Sequence, residues 1–218
     1  MSKRTLAWTA AVALIIALVS MLAFDRGIAL AVRQSGIESA AIVVSLREFF
    51  DILTGSGIGR GFGRFGHLLL GASLVVIGMA WLLARKTNPT ARALVFTGLV
   101  QLGTIEAGSL VKVAFGRLRP YQLLEHNDWS HIWFAGGSSF PSGHVAFFWG
   151  LFLPLAYLYP KYRVPLLVVP VFIAFARVDE NVHFLSDVLG SIALAAIVTL
   201  IAAVVFGRWI RPADSPRS

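Results

Sequence analysis

The sequence predicts an all-α fold: one membrane domain over residues 1–218, built as a bundle of six transmembrane helices with an interfacial helix in the first outer loop. Two observations carry this prediction. The chain is 57% hydrophobic and 14% charged, with a mean hydropathy of +0.76, whereas about a quarter of the residues are charged in a soluble domain. Its apolar residues also fall into six runs: 6–24, 67–83, 93–115, 145–159, 164–176 and 188–206.

The lengths of these runs decide which of them cross a membrane unaided. Four are long enough, as helices, to span a hydrocarbon core about 30 Å thick. The runs at 145–159 and 164–176 are shorter and need part of their flanks to reach across. Lys3 and Arg4 precede the first run, as in a cleavable signal peptide. The run is longer than a signal core, so we expect it to remain as a span.

The formal charge of +8 raises the question of a nucleic-acid partner. The cations are not gathered on one face, so no nucleic acid is expected. Many lie in short tails and connections, which the positive-inside rule places in the cytoplasm together with both termini. This orientation is expected of a bacterial inner-membrane protein. The cations placed there are Lys3, Arg4, Arg85, Lys86, Arg92, Lys161, Arg163, Arg208, Arg211 and Arg217. The chain has no cysteine, which excludes thiol chemistry.

The longest connection, residues 25–66, falls outside the cytoplasm in this orientation. Within it, residues 37–53 mix apolar side chains with charged ones, as an interfacial helix does. A glycine-rich stretch follows and favours a flexible return to the membrane, because its spacing fits no nucleotide-binding motif. Arg60 and Arg64 are interpreted as lipid-headgroup contacts.

Two cations at the end of the third run, Lys112 and Arg119, indicate an anion site. Their spacing corresponds to two helical turns, so both point the same way if the helix continues. Converging cations need an anion, and arginine suits a phosphate because it can donate two parallel hydrogen bonds. The plainer alternative is snorkelling to lipid phosphates, which explains Arg117 well but explains the Lys112–Arg119 spacing less well.

The stretch Pro141-Ser142-Gly143-His144 precedes the fourth run. Ser142 is a good N-cap, and a helix start offers unpaired N–H groups and the positive end of the helix dipole. Gly143 lets an anion approach these groups, and His144 in the first turn can move a proton near neutral pH. Taken alone this is a weak signal, and a capped membrane helix with an interfacial histidine explains it better.

Arg177, His183 and Asp187 stand at the entry to the last run. His183 and Asp187 are spaced so that their side chains can meet on one helix face. A carboxylate on one imidazole nitrogen leaves the other nitrogen free as a nucleophile. Arg177 can join them only if the chain breaks within residues 178–182. A buried structural His–Asp pair accounts for this stretch equally well when it is considered alone.

Polar residues outside these stretches have plainer interpretations. Gln101 and Glu106 lie at membrane depth, and we expect structural hydrogen bonds to another span. His126, Asp128 and His131 could form part of a metal site, but no fourth ligand is in view. Contact with a headgroup or plain exposure is favoured for them, so neither a metal nor a cofactor is expected.

The order of the helices brings the candidate groups to one membrane face. With the N-terminus inside, the third and fifth spans end outside the cytoplasm, and the fourth and sixth begin there. Three cations, one helix start, two histidines and one carboxylate therefore meet on that face. Such a set fits a phosphate site with a nucleophile and a proton donor.

The three stretches together resemble the motifs of the type 2 phosphatidic acid phosphatase superfamily. They read Lys-six residues-Arg-Pro, then Pro-Ser-Gly-His, then Arg-five residues-His-three residues-Asp, within residues 112–187. The resemblance covers about residues 60–206 and implies a six-helix membrane fold. It also implies metal-independent hydrolysis of a phosphate ester or pyrophosphate through a phosphohistidine. One departure is Ala176, where the family usually has serine, which puts one phosphate hydrogen bond in doubt.

The resemblance assigns a role to each candidate residue. His183 would attack phosphorus in line, and Asp187 would orient it and stabilise its positive charge. His144 would protonate the leaving oxygen and then activate water. The groups that would bind the phosphoryl oxygens or stabilise the transition state are Lys112, Arg119, Ser142, Gly143 and Arg177.

The sequence therefore predicts an integral-membrane lipid phosphatase whose site faces the extracytoplasmic side. A polyprenyl diphosphate, phosphatidylglycerol phosphate, phosphatidate or lipid A phosphate would each suit it, and the oligomeric state stays open. One alternative is a lipid phosphotransferase that passes the phosphoryl group from His183 to another lipid. Another is a non-catalytic protein that binds lipid phosphates, whereas the related vanadate-dependent haloperoxidases are soluble and do not fit six apolar runs.

Overall fold

The computed structural model describes residues 1–35, 44–45, 48–49 and 63–210, with side chains from residue 66 in the last of these ranges. Every regular element in these residues is helical, so the all-α prediction is confirmed for them. The elements are α1 (Lys3–Val19), a π-helical turn (Ser20–Phe24), α2 (Asp25–Ser35), α3 (Gly63–Ala84), α4 (Pro89–Phe115), α5 (Pro120–His126), α6 (Gly143–Leu158), a 3-10 turn (Pro160–Tyr162), α7 (Arg163–Asp179) and α8 (Leu185–Val205).

Four helical segments in the described ranges are long and apolar enough to cross a membrane: Lys3–Ser35, Gly66–Ala84, Pro89–His126 and Leu185–Val205. The two predicted short spans form α6 and α7, which have 16 and 17 residues. At 1.5 Å per residue each is about 25 Å long. The predicted interfacial helix at 37–53 falls mostly outside the described residues, as does Arg60, and the side chain of Arg64 is not described.

The first helical segment is longer than the sequence analysis predicted. The first outer connection was expected to begin at residue 25, but the chain stays helical through the π-helical turn and α2 to Ser35. Asp25 lies within this helix and is only 5% exposed. Its carboxylate accepts a hydrogen bond from Ser20 Oγ at 2.7 Å. A charged residue after an apolar run usually begins a loop, but here a buried partner keeps it inside the protein.

The last helix, α8, is the centre of the bundle. It packs against α1, α4, α6 and α7, while α3 lies against the outer side of α4. The main apolar core is formed between these helices by residues such as Leu6, Phe96, Val145, Leu153 and Ala195. The α3–α4 contact is close, since a Cβ added at Gly98 would lie 2.6 Å from the carbonyl oxygen of Gly71. This packing brings the end of α4 and the beginnings of α6 and α8 together.

Helix α4 does not continue to Arg119, so the condition under which Lys112 and Arg119 would share one helical face is not met. The helix ends at Phe115, and Gly116 adopts a left-handed conformation with φ of +48°. Its N–H donates to the carbonyl oxygen of Lys112 at 3.0 Å. Glycine tolerates this conformation without steric cost and commonly ends helices in this way. The chain turns here, and Arg119 is the residue that immediately precedes α5.

Candidate active site

A cavity of about 380 Å³ lies where α3, α4, α6 and the α7–α8 connection meet. Six of the eight predicted site residues line it: Lys112, Arg119, Ser142, Gly143, His144 and His183. Asp187 lies behind His183, and Arg177 is not among the lining residues. The remaining walls are mostly apolar, with Ile105, Val113, Pro141 and Ala146 among them. The structure therefore brings all three sequence stretches to one cavity.

His183 and Asp187 form a buried pair at the back of the cavity. The imidazole Nδ1 lies 3.5 Å from Asp187 Oδ2, and the two side chains are 3% and 0% exposed. This distance is at the outer limit of a hydrogen bond, and Nδ1 has no hydrogen-bond partner of good geometry among the described residues. Because Nδ1 faces the carboxylate, Nε2 is the nitrogen on the other edge of the ring. Burial lowers the pKa of His183 to about 4, against the raising effect of Asp187. His183 is thus neutral at pH 7, as a nucleophile must be.

The chain break predicted before His183 is present. Helix α7 ends at Asp179, and Asn181 takes a left-handed conformation with φ of +51°. The N–H of His183 returns to the carbonyl oxygen of Arg177 at 3.1 Å, and Tyr121 N donates to the carbonyl oxygen of Asn181 at 3.1 Å. These bonds fix the short connection, and with it His183, against α5.

The start of α6 presents unpaired polar groups to the cavity. Ser142 has the extended backbone of an N-cap, but its hydroxyl makes no capping hydrogen bond, contrary to the prediction. Within the described part of the chain, Ser142 Oγ is buried without a hydrogen-bond partner. A Cβ built on Gly143 would meet nothing within 4 Å, so the first turn is open to the cavity. The helix start can therefore receive an anion.

A buried serine fastens the start of α6 to α8. Ser191 Oγ lies 3.0 Å from the carbonyl oxygen of Ser142 and 2.8 Å from that of Asp187. The N–H of Ser142 also donates to the carbonyl oxygen of Asp187 at 3.3 Å. The helix start and the His–Asp pair consequently keep a fixed separation, which an in-line reaction at a single phosphorus atom needs.

Lys112 and Arg119 supply positive charge to the wall of the cavity. Lys112 Nζ donates to the carbonyl oxygen of Ser138 at 2.6 Å, which ties the end of α4 to the loop before α6. Among residues 66–210, no carboxylate forms an ion pair with either cation. Their charges are therefore available to an anionic ligand.

Arg177 forms an ion pair beside the cavity residues. Its Nη1 lies 3.0 Å from Glu180 Oε2, and both side chains are less than a tenth exposed. The ion pair holds the end of α7 to the connection that carries His183. Arg177 is not among the residues that line the cavity, and its place in the site stays a prediction.

His67 is a cavity residue that the sequence analysis missed. It lies on α3, and its ring centroid is 5.7 Å from that of His144 in an edge-on arrangement. Gln101 Nε2 donates to the carbonyl oxygen of His67 at 2.9 Å, which confirms the interhelical bond expected of Gln101. The only sequence signal for His67 was a histidine at the start of an apolar run.

Arg117 was assigned to snorkelling at the lipid surface, and this interpretation is wrong. The residue is 2% exposed and lies between the rings of Trp133 and Phe184, at 4.5 and 4.0 Å from their centroids. Its guanidinium forms ion pairs with Asp25 at 2.7 Å and Asp187 at 2.6 Å. Since Asp25 is far away in the chain, no local pattern indicates this contact.

The polar loop after α5 shows no metal-binding arrangement. Among the described residues, no group of three or more histidine, cysteine, aspartate or glutamate side chains could hold a metal ion. Asp128 instead accepts hydrogen bonds from the N–H and the hydroxyl of Ser130. These bonds lower the pKa of Asp128 below its usual value. The prediction that catalysis needs no metal stays a prediction.

The chain is similar to known proteins over much of its length. The sequence pattern of the PAP2 superfamily matches residues 90–211, which is more than half of the chain. A Rhizobium etli protein named lipid A 1-phosphatase is 29% identical over 202 residues, 87% of this chain and 80% of that protein. A Rhizobium johnstonii protein of the same name is 35% identical over 117 residues, 52% of this chain and 45% of the relative's length. No solved structure matches the chain.

Proposed function

Because the chain belongs to the PAP2 superfamily, we propose that it is an integral-membrane lipid phosphatase that cleaves a phosphomonoester or pyrophosphate through a phosphohistidine. One observation supports the proposal most strongly. A cavity beside the His183–Asp187 pair holds two cations that form no ion pair among the described residues, and a buried hydroxyl of Ser142 without a hydrogen-bond partner there. A phosphoryl group supplies the negative charge and the acceptor atoms that these groups lack.

In the first step the phosphoryl oxygens lie between Lys112, Arg119 and the start of α6. Nε2 of His183 attacks phosphorus in line, and a bond forms between nitrogen and phosphorus. The phosphorus–oxygen bond to the lipid breaks at the same time, and His144 gives its proton to the leaving oxygen. Asp187 at Nδ1 stabilises the positive charge that the imidazole acquires.

In the second step water attacks the phosphorus of the phosphohistidine. His144, now unprotonated, takes a proton from this water, and the nitrogen–phosphorus bond breaks. Inorganic phosphate leaves, His183 is neutral again, and His144 is protonated for the next cycle. In both steps the start of α6 acts electrostatically: the Ser142 hydroxyl and the Gly143 N–H donate hydrogen bonds to the equatorial phosphoryl oxygens as negative charge builds on them.

Arg177 does not line the cavity, and its predicted role as a phosphate ligand requires one of its N–H groups to reach the phosphoryl group when substrate binds. Its Nη1 pairs with Glu180, and its other N–H groups can donate without opening this pair. Ala176 provides no hydroxyl beside it, unlike the serine usual in the family. The phosphate contacts of this chain therefore rest mainly on Lys112, Arg119 and the helix start.

The substrate proposal follows the names of the relatives. Both proteins that match are named lipid A 1-phosphatase, so a lipid A phosphate comes first among the candidates. The apolar walls of the cavity suit the lipid end of such a molecule. Polyprenyl diphosphates, phosphatidylglycerol phosphate and phosphatidate also carry a terminal phosphoryl group, and they stay candidate substrates.

The membrane arrangement is also part of the proposal. Helices α6 and α7 would complete six spans together with the four longer segments, with short flanks covering the rest of the hydrocarbon core. Both termini would then lie in the cytoplasm, and the cavity would open at headgroup level on the opposite side of the inner membrane. A substrate could enter sideways from that leaflet.

The test is phosphate release by purified protein in detergent with EDTA, across a panel of lipid phosphates and diphosphates. His183→Ala is run in parallel, and His126→Ala is the control because His126 lies outside the cavity. We expect release by the wild type and the control only. Activity that survives in His183→Ala would contradict the mechanism, and loss of activity with EDTA would contradict metal independence.

Product analysis separates the hydrolase from its alternatives. A phosphorylated acceptor lipid in place of inorganic phosphate would identify a phosphotransferase. Binding of the lipids without any turnover would identify a binding protein.

A further inference from the structure

We propose that Asp25 and Arg117 are positioning residues of the active site: through a buried ion triad they hold the Asp187 carboxylate against His183. This inference rests on the proposed function, and it extends the site to the first helical segment of the chain. None of the three motif stretches includes Asp25. Neither residue touches the cavity, so both act through Asp187 rather than on the substrate.

Arg117 is the centre of the triad. Its Nη1 donates to Asp187 Oδ1 at 2.6 Å, and its Nη2 donates to Asp25 Oδ2 at 2.7 Å. The two carboxylates thus bind different ends of one planar guanidinium. Lysine could not reproduce this geometry, because its ammonium is a single point charge. The rings of Trp133 and Phe184 also pack against the guanidinium, at 4.5 and 4.0 Å from their centroids.

Asp25 fixes the outer end of the guanidinium. Besides Arg117, its carboxylate accepts bonds from Ser20 Oγ at 2.7 Å and from the N–H of Ser186 at 3.2 Å, and it also contacts Ser186 Oγ. Ser186 belongs to the first turn of α8, one residue before Asp187. The first helical segment is therefore bonded directly to the turn that carries the catalytic carboxylate.

Both carboxylate oxygens of Asp187 are held by donors from the protein. Oδ1 accepts from Arg117, while Oδ2 accepts from Ser139 Oγ at 2.5 Å and from the N–H of Phe184 at 2.8 Å. The same Oδ2 faces His183 Nδ1. These donors fix the plane of the carboxylate, and a carboxylate beside Nδ1 favours the tautomer that carries its proton there.

The charges of the triad also fit the reaction. Two carboxylates and one guanidinium leave a net charge of −1 beside a neutral histidine. When His183 bonds to phosphorus, its ring becomes positive, and the buried site then becomes neutral. The negative charge of the triad therefore attracts the positive charge that the ring acquires, and this offsets part of the cost of a buried imidazolium as the phosphohistidine forms.

A double-mutant cycle tests this inference, with single-turnover kinetics for Asp25→Asn, Asp187→Asn and the double variant. We expect Asp25→Asn to lower the rate constant about 10- to 100-fold, as a small misplacement of reacting groups does, with KM changed less than about threefold since Lys112 and Arg119 are intact. In the Asp187→Asn background the same substitution should have no further effect. Thr199→Val, which removes a buried hydroxyl of α8 bonded to Ala195, is the control and should keep wild-type rates.

Equal effects of Asp25→Asn in both backgrounds would overturn the inference, because Asp25 would then act independently of Asp187. If Asp25→Asn fails to fold, Asp25→Glu and Arg117→Lys replace it, since both keep the charge and alter only the geometry. Rates at the wild-type level in those folded variants would likewise exclude a positioning role.

A second measurement does not depend on turnover. Diethyl pyrocarbonate modifies neutral imidazoles, and peptide-resolved mass spectrometry reports its rate at His183. We expect severalfold slower modification of His183 in Asp25→Asn, no such change in the Asp187→Asn background, and an unchanged rate at exposed His126. Modification of His183 that is insensitive to Asp25 would contradict the inference even if the protein proved inactive on every lipid.

Discussion

The charged groups on the cavity side of His183 and those on its buried side differ in whether the protein provides their partners. On the cavity side, Lys112 and Arg119 form no ion pair with a carboxylate among the described residues, and Ser142 Oγ has no hydrogen-bond partner there. On the opposite side, Asp187 and Asp25 are buried, and both accept bonds from Arg117 and from serines. One side has charges that await a ligand, and the other has charges that the protein itself satisfies.

This difference separates binding from positioning. Replacing a group on the cavity side leaves no buried charge without its partner. Such a replacement should therefore weaken substrate binding more than it destabilises the fold. Groups on the buried side depend on one another, and removing one leaves its partner unpaired in a low dielectric.

Replacing the nucleophile should have the largest effect. His183→Asn keeps a polar side chain of similar reach but cannot form the phosphohistidine. We expect kcat to fall by at least about 10³-fold, measured as phosphate release from the preferred lipid. His126→Asn, outside the cavity, should retain wild-type activity. A loss of less than tenfold in His183→Asn would mean that another group attacks phosphorus.

Arg117 and Arg119 provide the sharpest contrast, since they are two residues apart and lie on opposite sides. Arg117→Leu leaves two carboxylates buried without their cation, and we expect the free energy of unfolding to fall by about 3–5 kcal/mol. Arg119→Leu should instead lower kcat/KM about 100-fold, because one charged hydrogen bond to phosphate is worth roughly 2–3 kcal/mol.

Thermal unfolding in detergent and steady-state kinetics measure both variants. The division would be wrong if Arg119→Leu lowered the melting temperature as much as Arg117→Leu does. It would also be wrong if Arg117→Leu were as stable as the wild type.

His67 should contribute less than the motif residues. Its ring contacts that of His144 edge-on, so it helps to hold the imidazole that moves the proton. His67→Leu preserves the volume but removes the polar edge, and we expect kcat to fall about tenfold through a looser His144. The matched control is Leu70→Ala on the same helix, at a partly exposed position outside the cavity lining. An unchanged kcat in His67→Leu would limit His67 to packing.

The smallest effect concerns pH and stability. Burial lowers the pKa of His183 from 6.5 to about 4 in the native state. As the pH falls through this window, the unfolded chain binds a proton that the native state does not, so the free energy of unfolding decreases. His183→Gln lacks this proton uptake. We therefore expect the melting temperature of the wild type, relative to that of His183→Gln at one scan rate, to fall between pH 7 and pH 5.

A relative melting temperature that stays constant or rises between these two pH values would contradict a neutral, buried His183. Asp187 is common to both proteins, so its own titration largely cancels in the comparison.

The sequence predicted the helices and the site residues well wherever local information sufficed. The apolar runs at 67–83 and 145–159 correspond to α3 and α6 within a few residues. The three motif stretches reach one cavity because the order of the helices fixes which helix ends meet. Arg119 joins Lys112 despite the turn at Gly116, which a spacing argument based on one continuous helix does not foresee.

The residues that sequence reasoning missed all depend on distant partners. Arg117 lies among other cations near a membrane surface, where snorkelling is the ordinary explanation, and its partner Asp25 is contributed by the first helical segment. Asp25 itself follows an apolar run and resembles the start of a loop. His67 has no motif around it and is recognised only because α3 packs beside α6.

The central claim, a phosphohistidine at His183, is tested most directly by trapping it. The wild type is mixed with the preferred lipid carrying a radioactive phosphoryl group, quenched in alkali within milliseconds and digested for peptide mapping. We predict acid-labile, base-stable label on the peptide that contains His183, and none in His183→Asn. Label on any other residue, or turnover without a labelled enzyme at the earliest times, would contradict the account.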